Sequence, residues 1–330
     1  RAREIIPHLQ RRGSVDLLFS GGNCQLKLEA DAVMHRDGIS FQYDDRGGIS
    51  LMKTLRHLKP VQFVHDVRGL KLNRYDLVIS DFEPVSAWAA RRQGVPSVAL
   101  SHQAAFLSSQ TPRPLNHSFW AEEILRHFAP CVHSVGFHFN RYDEFIEPPI
   151  IRSEIRELMP YKGDHVTVYL PAFDEKWLLQ QFRQLDHVRW NVFLPGRSSK
   201  KQVENVMFFP INNDLFLSSM QGARGVVTGG GFETCAEALF LGKKLLSIPV
   251  HNQYEQLCNA AALAEMGVPV LDRPSAKQFR EELNYWLTND EEVSLQETAD
   301  VGGLVAALLG EKSTEAPAWE SLQLENMTAA

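Results

Sequence analysis

The apolar positions first follow a helical period. In Arg1-Ala-Arg-Glu-Ile-Ile-Pro-His-Leu-Gln-Arg-Arg, Ile5, Ile6 and Leu9 fall on one face. Gly13 ends that helix, and 15–19 reads as a buried strand. Short continuous apolar runs recur at 39–43, 77–80, 97–100 and 132–137, with helical stretches at 84–93 and 118–127. Pro84 suits a first helical turn and Gly94 a helix stop. Two prolines in Glu147-Pro-Pro-Ile-Ile-Arg force extended chain and stop helices. The alternation then restarts. Strands are expected at 166–170, 189–194, 206–209, 225–228 and 244–248, with helices at 175–185, 214–220, 232–241, 253–266 and 276–287. Apolar strands alternating with helices predict parallel sheets covered on both faces.

The 330 residues exceed one ordinary core. The pattern divides the chain into 1–148, 149–312 and a polar stretch 313–330 that is a tail or a helix crossing back to the first domain. The opening helix, glycine turn and strand form the second half of a βαβ unit. Because the first strand of a doubly wound sheet is usually central, a strand and a Gly-rich turn are expected just before Arg1.

Composition narrows the class. Hydrophobic residues make up 44% and charged residues 22%, as in globular proteins. A net charge of −6 argues against a general nucleic-acid binder. Cys24, Cys131, Cys235 and Cys258 form no C-x-x-C pair, so the expected setting is cytosolic and reducing. No apolar run approaches the roughly 20 residues that cross a bilayer. His65-Asp66 and the pair His133/His138 fit no standard metal spacing, and no metal or cofactor is expected.

The informative stretch is Gly225-Val-Val-Thr-Gly-Gly-Gly-Phe-Glu-Thr-Cys-Ala-Glu-Ala-Leu-Phe-Leu-Gly-Lys-Lys-Leu-Leu-Ser-Ile-Pro. A strand runs into three glycines and a helix begins. Glycines let backbone amides approach an anion closely, and the helix N-terminus adds about half a positive charge, which suits a diphosphate. Gly229, Gly230 and Gly231 would supply amides and Thr234 a hydroxyl. Glu237, one turn in, would accept hydrogen bonds from a ribose diol. In the following Pro249-Val-His-Asn-Gln-Tyr-Glu-Gln-Leu-Cys-Asn-Ala, Glu255 and Gln256 offer acceptors and donors for sugar hydroxyls, or open an ordinary helix capped by Asn252.

This order of strand, glycine triplet, helix, Glu-x-x-x-x-Gly-Lys, strand ending Ile-Pro and Gln-x-x-Glu-Gln-x-x-Asn-Ala resembles the donor-binding region of GT-B glycosyltransferases. The stretch 225–267 is similar to that of the bacterial N-acetylglucosaminyltransferase of lipid-linked peptidoglycan precursor synthesis, and closer to a family of poorly characterised bacterial and archaeal glycosyltransferases. A weaker match takes in Ile79-Ser-Asp-Phe-Glu-Pro and Pro148-Pro-Ile-Ile-Arg. The resemblance implies two Rossmann-like domains about a cleft, with a nucleotide sugar, usually UDP-linked, on the second. It puts phosphates at Gly229–Gly231 and Thr234, ribose at Glu237, donor sugar at Glu255 and Gln256, and uracil at Phe209, Ile211 and Asn212. The chain begins Arg1-Ala2, like the end of a Gly-x-Gly-His-x-x-Arg-Ala opening whose His would be the first choice of base.

Glycosyl transfer needs a stabilised leaving diphosphate and a deprotonated acceptor hydroxyl. No Asp-x-Asp occurs in the chain, so a metal-independent route is expected, with backbone amides holding the leaving charge. Within the chain the candidate bases are His102, Asp81 and Glu83, although Asp81 also suits a cap for the helix at Pro84. The resemblance alone suggests inversion. The acceptor is expected to be a glycan or lipid-linked; a lipid-linked one would bring the enzyme to the inner face of the cell membrane, with the basic side of the Arg1–Arg12 helix as a candidate contact. Two other readings share the fold: a nucleotide-sugar 2-epimerase and a non-catalytic nucleotide-sugar-binding subunit.

Overall fold

A computed structural model describes residues 1–21, 32–37, 59–251, 253–289 and 293–311. The strand expected at 39–43, the cap Asn252 and the stretch 313–330 lie outside these residues.

The front half contains two parallel sheets. β1 (Asp16–Ser20) pairs with β2 (Ala32–Arg36). β3 (Val78–Ser80), β4 (Ser97–Ser101), β5 (His133–Phe137) and β6 (Ile146–Glu147) form a four-stranded sheet in that order. Among the described residues no backbone ladder joins β1 to β3. Side chains link their ends instead: Tyr75 and Arg74 donate to Asp16 at 2.5 and 2.7 Å, and Ser20 donates to Glu83 at 2.5 Å. Pro84 opens a helix over Pro84–Gln93, which Gly94 ends with φ 68°. β2 lies within a stretch that reads as loop from sequence, because His35 and Arg36 interrupt any apolar run. The helix Pro60–Gly69 also carries no clear periodic signal.

The back half is a six-stranded sheet. Its strands are β7 (His165–Tyr169), β8 (Arg189–Leu194), β9 (Lys201–Val203), β10 (Val206–Pro210), β11 (Ala223–Thr228) and β12 (Lys244–Ser247), ordered β12-β11-β7-β8-β10-β9. All pairings are parallel except that of the short edge strand β9. From β7 the chain builds outward through β8 and β10, then returns to the other side of β7 for β11 and β12. The strand order therefore reverses between β7 and β11, and ligands of open α/β sheets bind at the carboxyl ends there. Thr228 is the last residue of β11, so the glycine triplet emerges at this switch point.

One apolar cluster runs through both halves, joining Ile5, Leu100 and Phe137 to Val226, Phe232 and Leu263. Val301, Leu304 and Val305 of the helix Val301–Leu308 belong to it as well, and that helix packs on the helix Ala2–Gln10. Among the described residues, the helix Val301–Leu308 returns to the front half. Arg12 of the opening segment pairs with Glu311, and Glu4 with Arg156, so much of that segment's charge is used within the chain.

Lys243, in the Gly-Lys pair of the motif, serves the fold. Its ammonium is buried and donates to the carbonyls of Tyr161, Gln221 and Ala223 at 2.7, 2.7 and 2.9 Å. Burial pushes its pKa down to about 8, which leaves it charged at neutral pH. Lys243→Met retains the apolar stem and leaves three carbonyls without their donor. It is expected to cost about 2 kcal/mol in urea denaturation, since a hydrogen bond from a charged donor contributes ~1.5–3 kcal/mol, with UDP affinity unchanged below the transition.

Candidate functional site

The glycine triplet leads into the helix Phe232–Phe240. Gly231 is its N-cap and brings no side chain to cap it. The first-turn amides of such a helix have no acceptor within the helix, so Phe232, Glu233 and Thr234 present N–H groups at its mouth. Two side chains of the helix Tyr254–Glu265 hold the loop from behind. Gln256 Oε1 accepts from Gly230 N at 3.1 Å and from Val250 N at 3.0 Å. Asn259 Nδ2 donates to the Gly230 carbonyl at 2.9 Å. The contact is close: a Cβ on Gly230 would lie 2.4 Å from the Gln256 carbonyl oxygen. A Cβ on Gly231 would meet nothing within 4 Å, so the open side of the loop is at Gly231.

Glu237 lies one turn deeper and is 3% exposed. Arg152 grips it with two hydrogen bonds, Nε to Oε1 at 2.5 Å and Nη2 to Oε2 at 2.9 Å. Burial raises the carboxyl above its ordinary value, and Arg152 opposes that rise without cancelling it. The same guanidinium donates to Asn213 Oδ1 at 3.0 Å. Glu237 is therefore linked through one residue to the start of the helix Asn213–Gln221, beside Ile211 and Asn212. Ile211 is exposed, while Asn212 caps that helix by accepting from Leu215 N at 3.0 Å. Phe209, the residue before the end of β10, stacks on Phe193, with ring centroids 4.9 Å apart. A cavity of about 500 Å³ opens on the same carboxyl edge, where Phe173–Glu175 and Leu194–Ser199 line it.

Several front-half residues reach this edge. Arg1 binds Asp81 at 3.0 Å and Glu233, in the first turn of the glycine-loop helix, at 2.9 Å. Gln103 donates to Glu255 at 2.9 Å, and Tyr254 donates to Glu122 at 2.5 Å. His102 stacks flat on Phe232, with centroids 3.9 Å apart and planes at 6°.

The structure brings Gly229–Gly231, Thr234, Glu237, Glu255 and Gln256 together and corrects some of their roles. Gln256 Oε1 faces the loop's own amides, so that atom supports the cradle. Glu255 is tied to Gln103 and remains about one-third exposed at 34%. Asp81 does not cap the helix at Pro84. Glu83 does, accepting from Val85 N and Ser86 N at 2.7 Å each and from Ser20 at 2.5 Å. His102 is 1% exposed, with Nδ1 2.7 Å from the Phe137 carbonyl oxygen and Nε2 2.8 Å from Asn259 Oδ1. It is too deep to meet a substrate proton. Burial lowers its pKa, against the opposing pull of Glu255. Of the three acids and bases singled out, Asp81 alone keeps broad solvent access, at 46%.

Arg152 and Asn259 carry no expected role in the sequence reading. Asn259 had a legible signal: it lies three residues after Gln256, hence on the same helix face toward the loop. Arg152 follows the Pro-Pro-Ile-Ile boundary, and nothing local reveals its reach to Glu237.

The chain matches the model of glycosyl transferase family 1 over residues 1–289. It is 28% identical over 310 residues to an uncharacterized glycosyltransferase of Methanosarcina acetivorans, covering 81% of this chain and 79% of that one. Among solved structures it resembles Arabidopsis thaliana UGT89C1 in complex with UDP-L-rhamnose, with TM-score 0.60 and 12% identity over 97% of this chain and 93% of that one. It also resembles CalG4, the calicheamicin glycosyltransferase, with TM-score 0.53 and 14% identity over 88% and 86%. The α/β architecture with its parallel sheets is of the GT-B type.

Proposed function

We propose that this chain, which belongs to glycosyl transferase family 1, moves a hexose or N-acetylhexosamine from a UDP-sugar to a hydroxyl acceptor, without a metal and with inversion. The observation that carries the reading is the uncapped helix mouth at Gly231, set at the switch point of the back sheet with the Glu237–Arg152 pair one turn deeper. Residues 1–148 would form the acceptor-side domain and 149–312 the donor domain.

In this reading the diphosphate lies on the amides of Gly231–Thr234, and the Thr234 hydroxyl adds a donor. A carboxylate has about four lone-pair sites, so Glu237 can accept from a ribose diol while Arg152 holds it. Ile211–Asn213 flank the base, and Glu255 faces the sugar. The acceptor O–H gives its proton to a base as its oxygen bonds to the anomeric carbon. The bond from that carbon to the β-phosphate oxygen breaks, and its electron pair stays on the phosphate. The amides and the helix dipole stabilise that charge. Asp81, half exposed and held by Arg1 across from Glu233, is the base we favour among the residues present.

Three neighbouring residues suggest an acceptor with an apolar carrier. Leu115, Phe119 and Trp120 are 99%, 67% and 71% exposed in the segment that follows Gln103. Such a rim suits a lipid-linked acceptor and peripheral contact with the inner face of a cell membrane better than the opening helix does. No helix of the described residues is long and apolar enough to cross a membrane.

A panel of sugar nucleotides tested by thermal unfolding checks the proposal. A donor at 100 times its dissociation constant adds about 2.7 kcal/mol of stability. UDP-sugars are expected to raise the midpoint. No shift with any nucleotide sugar would remove the donor site.

A further inference from the structure

His102 is withdrawn from solvent yet lies one hydrogen bond from the loop that forms the mouth. Its Nδ1 lies 2.7 Å from the Phe137 carbonyl oxygen and its Nε2 2.8 Å from Asn259 Oδ1. Both partners are acceptors, so the neutral ring donates to one of them, and it is the Nε2–H tautomer that donates to Asn259. The other end of the Asn259 amide donates to the Gly230 carbonyl. Both ends of that amide are thus engaged, one by the front half and one by the loop. The Gly230 carbonyl shares a peptide plane with the Gly231 N–H. No peptide bond in the described chain is cis, and in a planar trans peptide the C=O and N–H point in opposite directions. Drawing the carbonyl back to Asn259 therefore turns the Gly231 amide outward, on the side where a Cβ would meet open space.

We infer that His102 is a positioning residue: by locking the Asn259 amide it fixes the Gly230–Gly231 peptide plane and so aims the Gly231 N–H. The flat stack of His102 on Phe232, the first residue of the helix, adds a second connection from the front half to the same loop. The mouth is then fully ordered only while the carboxyl end of β4 rests against it. A movement that parts the halves at this point takes His102 from Asn259 and frees the peptide. The geometry is independent of the ligand, whereas its consequence for binding rests on the donor reading above.

The test compares His102→Phe, Asn259→Leu and the double variant with the parent, nucleotide-free and titrated with UDP. His102→Phe keeps a ring over Phe232 and removes the donor to Asn259. The 15N relaxation order parameter of the Gly231 amide is expected to fall from near 0.85 to below about 0.6, while the amides of Val226–Thr228 stay rigid. UDP is expected to bind about tenfold more weakly to either single variant, and the double variant to lose no more than one single, as groups acting in series do. His102→Gln, which restores a donor toward Asn259, should recover most of the loss. Should His102→Phe not fold, Asn259→Leu reads the same peptide. An unchanged Gly231 order parameter in the folded variants, or additive losses, overturns the inference. A mobile Gly231 in the variants with no UDP binding by the parent removes the donor reading and leaves the relay standing.

Discussion

Glu237→Ala is expected to weaken UDP binding by about a hundredfold or more in isothermal titration. Two ribose hydroxyls donating to a buried carboxylate lose their acceptor, and hydrogen bonds to a charged group contribute ~1.5–3 kcal/mol each. The fold should survive, because Arg152 keeps Asn213 and Glu154 as partners. Glu237→Gln retains one acceptor and should lose less. A loss below threefold for the alanine variant would take the ribose away from Glu237. The pH dependence has a definite sign. Burial raises this carboxyl in the folded protein, so the folded state takes up a proton before the unfolded chain does as pH falls. Binding needs the carboxylate and should decline as pH drops through that raised value. The contribution to stability runs the other way: it is fully present below the unfolded pKa and is lost as pH rises through the folded one.

Gly231→Ser is expected to change stability and donor affinity in opposite directions. A serine at an N-cap accepts a hydrogen bond from the second or third amide of the helix and typically contributes ~1 kcal/mol relative to alanine, and a few tenths relative to glycine. The backbone already suits it, with φ −68° and ψ 124°, and no atom stands within 4 Å of the new Cβ. The protein should therefore be as stable as the parent or slightly more so. The same hydroxymethyl group lies over the amides of Glu233 and Thr234 and competes with a diphosphate for them. Losing two charge-assisted hydrogen bonds should weaken UDP by about a hundredfold. Equal UDP affinity in a serine variant of unchanged stability would mean that the mouth holds no anion.

The cradle was legible because it is written in residues with local consequences. Three glycines after a β-branched run permit only a tight exit from the strand, and Gly231 leaves the following helix without a side-chain cap. The back sheet was legible because each strand is a short apolar run between helices. The edge strand β9, with the sequence Lys-Gln-Val, was not, since it buries little and pairs on one side only. Roles set by distant partners were hidden. Nothing near Glu83 says that Ser20 meets it, and nothing near His102 says that Phe232 covers it from another 130 positions along the chain. That Gln256 also holds two backbone amides of the loop through its oxygen was hidden in the same way. Arg152 was hidden for the same reason, as its importance comes from Glu237 lying 85 residues away.

A crystal structure with UDP tests the central claim most directly. The expected result is phosphate oxygens within about 3 Å of the amides at Gly231–Thr234, with the ribose hydroxyls on Glu237. UDP bound elsewhere, with those amides still turned to solvent, would contradict it.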